Sequence, residues 1–244
     1  MNSKILLLFI ILYFIQGAVQ SFFTVFQKPY LHDLNIPSPS IGILSSIILV
    51  PFILKIFTGY FCDRSFFVSK NPRKKYMVFG LVLSALFFFV ASQISPNLSF
   101  LLYGGAVFFA SFAITIFDVA ADGYAVDVGK EQESVKIQSA MILGKVLGFV
   151  ILSYLFGVLI QKYGPGSIVS FLALFPLIPL LLVSNVKESG APKGEKFKWS
   201  KIKKEIHPEH YIFLFFAIFY SASCMGFDGT VSYTHLRAHE TVVH

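Results

Sequence analysis

The chain has 244 residues, of which 55% are hydrophobic and only 14% charged, and it carries a formal net charge of +7. A typical globular domain is about 25% charged. A water-soluble fold cannot bury so much apolar surface, so the composition excludes a soluble globular domain and predicts a protein of the lipid bilayer.

Seven apolar stretches follow one another along the chain. Their length favours helices over strands, because lipid forces each segment to satisfy its own backbone hydrogen bonds. The first stretch begins after Lys4, is too long for the core of a signal peptide, and is predicted to be a retained span. We therefore predict an all-α membrane protein with spans at about 5–26, 41–61, 76–94, 98–122, 136–160, 167–184 and 210–228.

Lysine and arginine are distributed unevenly between the connections of these spans. The amino terminus and the 2–3, 4–5 and 6–7 connections carry most of them, whereas the opposite side has only Lys28 and Lys162. The positive-inside rule then predicts a multi-pass protein of the cell membrane with its amino terminus in the cytoplasm. The net positive charge is explained as a topology signal, so we expect the lipid bilayer as a partner and no nucleic acid.

Composition divides the chain into four parts. Residues 1–186 are predicted to form a bundle of six transmembrane helices, and 187–209 a Lys-rich cytoplasmic linker. Residues 210–230 contain a seventh helix, which we expect to begin a second bundle. The remaining residues, 231–244, are polar and have no helical face.

This carboxyl-terminal tail has an unusual sequence. Residues 231–241 resemble one reading frame of a transposon-end sequencing adapter. We therefore expect 231–244 to be non-native and the chain to be the first part of a longer gene. For that reason His235 and His239 are not interpreted as metal ligands, and no metal site is predicted.

Polar side chains recur along one face of the first and fourth spans, while the third and sixth spans are almost entirely apolar. Such stripes face either a water-filled cavity or one another, as interhelical hydrogen bonds worth about 0.6 kcal/mol per contact. In the fifth span a lysine lies about 15 Å inside the predicted helix. The predicted substrate cavity consists of Tyr13, Gln16, Gln20, Thr24, Ser111, Thr115 and Lys145.

Ionisable residues within the spans are expensive and usually serve a function or a paired structural role, since each costs about 2.5–3.5 kcal/mol at mid-membrane. Asp118 and Asp122 share one helix face, so we expect a cation beside them, with Lys55, Arg64 and Lys145 as the candidates. The group Lys55, Asp118 and Asp122 is either a proton- or substrate-coupling site or a salt-bridged gate. The gate is favoured for Asp122, and both interpretations stay open for Asp118.

The connection between the second and third spans contains Gly59, Asp63 and Arg64 in the pattern Gly-x-x-x-Asp-Arg, followed by Arg73 and Lys74. This pattern resembles the signature loop of the major facilitator superfamily. The resemblance implies that the glycine permits close helix approach and that the charges latch two bundle halves together on the cytoplasmic side. The gap from Arg64 to Arg73 is longer than in the usual form of the loop.

Two further stretches, Pro51-Phe-Ile-Leu-Lys55 and Asp118-Val-Ala-Ala-Asp122-Gly-Tyr, are similar to stretches of muropeptide permeases and acetyl-coenzyme A transporters. The resemblance covers about residues 14–157 and implies twelve helices in two six-helix bundles. It further implies a permease or symporter that works by alternating access about a midplane site. The expected partners are a small polar or amphipathic solute and, as a candidate coupling ion, the proton.

Two functions of other classes remain open. The carboxylates Asp118, Asp122 and Asp127 resemble the aspartate-rich helix ends with which membrane prenyltransferases hold magnesium and a diphosphate, although residues 1–230 contain no second such cluster. The other alternative is a transporter-like membrane sensor. We expect no enzyme activity and no cofactor, and a muropeptide, acetyl-coenzyme A, a pteridine and a siderophore all suit a polar cavity.

Overall fold

The computed structural model describes residues 3–55, 58, 59, 62, 72–129, 131–184, 208, 209, 211, 212, 215, 216 and 219. The chain divides into two compact units, Met1–Gly194 and Glu195–His244. In the second unit the described positions are helical and exposed, and they fall at the end of the predicted linker and in the predicted seventh span. The rest of the predicted linker and the predicted tail at 231–244 lie outside the described residues.

The described elements of the first unit are all helical. In chain order they are α1 (Ser3–Ser21), a π-helical turn (Phe22–Phe26), α2 (Gln27–Asp33), α3 (Ser38–Ile53), α4 (Pro72–Gln93), α5 (Phe100–Val128), α6 (Glu131–Tyr163), α7 (Ser167–Leu174), a 3-10 turn (Phe175–Leu177) and α8 (Leu180–Ser184). Because the described part of the chain contains helices and turns and no strand, the prediction of an all-α membrane protein is confirmed.

Four helices in the described residues are long and apolar enough to cross a membrane, and two shorter apolar helices accompany them. The long ones are Ser3–Asp33, Arg73–Gln93, Phe100–Val128 and Glu133–Tyr163, and the shorter ones are Ser38–Ile53 and Ser167–Val183. These six segments follow the first six predicted spans in order. Most large exposed side chains on them are apolar, as a lipid-facing surface requires.

Helix α3 contains a proline near its end and stops short of the end of the predicted second span, while the described positions 55, 58, 59 and 62 beyond it are again helical. Pro51 has no backbone N–H and its ring crowds the preceding turn, and the helix ends two residues later at Ile53. The Ser111 hydroxyl donates a 2.8 Å hydrogen bond to the carbonyl oxygen of Ile48 in that weakened turn. A side chain of α5 therefore supports the last part of α3, and Lys55 lies two residues beyond the end of this helix.

Helices α1 and α6 pack with their backbones in contact, because glycines line both surfaces. A Cβ added at Gly148 would overlap the carbonyl oxygen of Phe14, and one added at Gly17 would overlap the carbonyl oxygen of Lys145. Gly144 is equally close to the backbone of α1. The Gly-x-x-x-Gly spacing of 144 and 148 is the small-residue pattern that lets membrane helices approach closely. We call Gly17, Gly144 and Gly148 the glycine seam.

The buried core of the unit draws side chains from most of its helices. Its largest fully buried side chains include Phe9, Phe22, Phe88 and Tyr103. Helix α4 approaches α5 through Gly80, where an added Cβ would lie 2.6 Å from the backbone nitrogen of Phe117. These contacts fix α5 against its neighbours, and α5 carries the aspartates that the sequence singled out.

Candidate functional site

A shared ion pair joins the end of α3 to α5. The Nζ atom of Lys55 lies 2.5 Å from Asp122 Oδ2 and 2.7 Å from Asp118 Oδ2. The side chain of Asp118 is only 4% exposed, whereas those of Lys55 and Asp122 are 37% and 39% exposed. Of the three candidate cations that the sequence left open, the structure places Lys55 between the two carboxylates.

Tyr13 of α1 extends this ion pair to another helix. Its hydroxyl donates a hydrogen bond to Asp122 Oδ1, and the tyrosine is 6% exposed. Both oxygens of Asp122 therefore have a partner, one from α1 and one from the end of α3. Tyr13 was predicted to line the cavity, and the structure places its hydroxyl at the carboxylates. We call Tyr13, Lys55, Asp118 and Asp122 the Lys55 cluster.

Lys145 of α6 lies near this cluster without joining it. The residue is half-buried, and its charge acts electrostatically on Asp118. Among the described residues its ammonium group has no ion pair. The glycine seam holds the backbone of Lys145 against α1. This seam was not among the features predicted from the sequence, although the Gly144-x-x-x-Gly148 spacing is a signal that indicates it.

The remaining predicted cavity residues separate into two environments. Ser111 and Thr115 are buried and donate hydrogen bonds to backbone carbonyl oxygens at 2.8 and 3.0 Å. Gln16 is also buried, and its Oε1 atom accepts no hydrogen bond from the described residues. Gln20 and Thr24 are exposed on the first span. The predicted polar stripe of the first span is therefore buried at Gln16 and exposed at Gln20 and Thr24.

A second ion pair connects α4 and α5 near the predicted signature loop. Arg73 Nε lies 3.0 Å from Asp127 Oδ2. The guanidinium group of Arg73 also covers Gly123, where a Cβ would overlap it. Lys74 is the next residue of α4 and is half-buried. Arg73, a basic residue of the predicted loop pattern, therefore forms an ion pair within the first unit.

The other members of the loop pattern are described only in part. Asp63 and Arg64 lie outside the described residues. A Cβ at Gly59 would make an ordinary van der Waals contact, 3.6 Å from Val119 Cγ1. The contact between Gly59 and α5 would therefore accommodate an alanine.

The described residues contain no group of three or more His, Cys, Asp or Glu side chains placed to hold a metal ion. Three carboxylates of α5 are instead engaged with cations: Asp118 and Asp122 with Lys55, and Asp127 with Arg73. This arrangement can take up and release a proton. When one carboxylate bound to a shared lysine is protonated, the lysine keeps the other, so the pairing between helices changes without leaving a buried charge alone.

Comparison with known proteins places the chain in a family. It matches the model of the BT1 family over residues 16–223. It is 23% identical over 223 residues to the folate-biopterin transporter of Synechocystis sp., and the match covers 86% of this chain and 44% of that protein. The chain thus spans less than half the length of this curated relative. No solved structure matches it. With its apolar helices and this family match, the chain is a multi-pass membrane protein that belongs to the BT1 family of membrane transporters.

Proposed function

We propose that this chain is the first half of a secondary active transporter of the major facilitator type, which moves a folate- or biopterin-like solute by alternating access. The name of the Synechocystis relative supports the solute class, and the 44% coverage of that relative supports the division into halves. In this proposal residues 1–186 are the first bundle, 187–209 the linker, 210–230 the start of the second bundle and 231–244 a non-native tail. The protein lies in the cell membrane with its amino terminus in the cytoplasm.

The observation that carries a coupled mechanism is the sharing of Lys55 between two carboxylates of α5. We propose that Asp118, the more buried of the two, takes up the coupling proton. Protonation removes a buried charge and leaves Lys55 bound to Asp122 alone. Because the cluster joins α1, α5 and Lys55 just beyond α3, the change in pairing biases the equilibrium between the inward- and outward-open states.

The variant Asp118→Asn tests this mechanism in the full-length protein, meaning this chain continued by its second bundle. Asparagine imitates the protonated carboxyl permanently, and Lys55 still keeps Asp122 as its partner. We expect uphill accumulation to fall to the level of simple equilibration, while counterflow exchange of labelled folate survives. Both are measured in vesicles at matched membrane abundance.

The matched control is Asp127→Asn, which removes a carboxylate from the same helix but from the ion pair with Arg73. This variant should keep accumulation. If Asp118→Asn retains accumulation, or loses exchange together with abundance, the cluster is a structural gate and Asp118 does not carry the coupling proton.

A further inference from the structure

We infer that Lys145 binds an anionic oxygen group, such as a carboxylate, on the transported solute. This inference rests on the proposed function, because it concerns the solute that the transporter moves. It assigns to one residue of α6 the selection of anionic over neutral solutes.

Lys55, the other lysine within the predicted spans, is already paired. Lys55 has two carboxylates within 2.7 Å, so its charge is already compensated. The positive charge of Lys55 is therefore neutralised within the cluster. A solute anion approaching Lys55 would be repelled by the carboxylates of Asp118 and Asp122. A solute anion needs a cation that is not already bound.

Lys145 meets that requirement among the described residues. It has no ion pair there, and it is half-buried about 20 Å along α6 from the start of the helix. A lysine at such depth is costly to keep and usually faces a cavity or a counter-ion. A solute anion would supply the missing counter-ion while it is bound.

The backbone of Lys145 is held rigidly by its packing against α1. The Lys145 carbonyl oxygen is packed against Gly17, and the glycines on either side, Gly144 and Gly148, are packed against α1. The backbone that carries the ammonium group is thereby held in place. A fixed backbone limits the volume that the ammonium group can reach, so binding an anion costs less conformational entropy than it would on a mobile segment.

A purely structural role is the alternative that the test has to exclude. Lys55 compensates one of the two charges on Asp118 and Asp122, and the charge of Lys145 acts on Asp118 from a greater distance. Lys145 would then only balance the excess negative charge of the cluster. The two roles differ in what happens when both charges are removed together.

Folate and biopterin are suitable probes, because folate carries carboxylates and biopterin carries none. Counterflow of each is measured in the full-length protein with Lys145→Gln, Lys145→Arg and the unaltered residue. We expect Lys145→Gln to raise the KM for folate about tenfold or more and to leave the KM for biopterin unchanged, since a charge-assisted hydrogen bond is lost for one solute only. Lys145→Arg keeps the cation and should keep folate exchange.

Lys162→Gln is the matched control, since it removes the same charge from the exposed last turn of α6. It should change neither KM. The double variant Lys145→Gln with Asp118→Asn separates the two roles. A high KM for folate in the double variant supports direct binding, whereas recovery of the normal KM overturns it in favour of charge balance.

Three other outcomes also overturn the inference. An equal rise in KM for both solutes would show that Lys145 has a general structural role. Unchanged kinetics for folate would show that Lys145 does not bind this solute. If the unaltered protein exchanges neither solute, the proposed solute class fails and the inference falls with it. Exchange of both solutes with no effect of Lys145→Gln refutes the inference alone and leaves the proposed function standing.

Discussion

Asp122 accepts hydrogen bonds on both carboxylate oxygens, from Tyr13 on one and from Lys55 on the other. Among the described residues, Lys55 is the ion-pair partner of Asp118, one turn earlier, and Asp118 is much more deeply buried. The two carboxylates of one helix face thus have different environments. In the proposed mechanism, Asp122, which has two partners, keeps its ion pair, and Asp118 is the group whose charge changes.

We predict that Tyr13→Phe weakens the Lys55 cluster without abolishing insertion. The variant removes the donor to Asp122 Oδ1 and leaves a partly buried acceptor unsatisfied, which should lower stability by about 1–3 kcal/mol. Thermal unfolding of the purified full-length protein in detergent measures the change. Tyr154→Phe is the control, because Tyr154 is 78% exposed on α6, and its hydroxyl should matter little. Equal stability of the two variants would contradict a stabilising hydrogen bond to Asp122.

Sequence reasoning predicted part of this cluster from periodicity alone. The four-residue spacing of Asp118 and Asp122 shows that they share a helix face. The spacing does not decide which of Lys55, Arg64 and Lys145 pairs with these aspartates, because that depends on where α3 ends and how closely it approaches α5. Tyr13 lies more than a hundred residues from Asp122 in sequence, and no local pattern connects them.

At the scale of helices, α1 and α6 are joined by shape rather than by polar contacts. Apolar side chains gain little by leaving lipid for a protein interface, so close backbone packing supplies much of the association. The seam does this with glycines, and Ser21 Oγ and Ser153 Oγ add one hydrogen bond of 2.7 Å. We therefore expect α1 and α6 to move together during transport.

Gly148→Ala should separate these two helices slightly. Its methyl group would overlap the backbone of Phe14, which cannot rotate away as a side chain would, and overpacking of this kind costs about 1–3 kcal/mol. Gly157→Ala is a matched control on the same helix, since a Cβ there meets nothing within 4 Å. Alanine at 157 should be neutral or stabilise the helix by up to about 1 kcal/mol. Thermal unfolding in detergent compares them, and a Gly148→Ala protein as stable as Gly157→Ala would argue against tight packing at the seam.

The order of the apolar helices could be predicted because bilayer thickness fixes the length of each hydrophobic run. Their ends were less accurate. Helix α5 continues to Val128, past the predicted limit at 122, and its last two turns carry Asp122 and Asp127, which pair with Lys55 and Arg73. Composition cannot report such pairing.

For the whole molecule, the orientation in the membrane stays a prediction from the lysine distribution. Helix α4 offers a direct test, because Lys75 near its start and Asn97 in the turn after its end are both exposed. In a full-length protein with Cys62 and Cys224 replaced by serine, a cysteine at Asn97 should react with an impermeant maleimide on intact cells. A cysteine at Lys75 should react only after the cells are opened. The reverse pattern would invert the proposed topology.

The π-helical turn at Phe22–Phe26 changes the helical phase within the first predicted span, so the side chains before and after it point in directions that one continuous α-helix would not give. A π turn accommodates an extra residue compared with an α-helix, so the segments before and after it are rotated relative to a continuous helix. Before the turn, Tyr13 meets Asp122 near the end of α5; after it, the Tyr30 ring packs 6.3 Å from that of Tyr103 near the start of α5. Deleting one residue within the turn would restore an α-helix and keep both contacts in phase, whereas winding all the present residues into a regular α-helix would rotate one contact away by about 100°. An alignment with a relative whose first span lacks the turn therefore needs a one-residue gap at this point, and without it every residue on one side would be assigned to the wrong face.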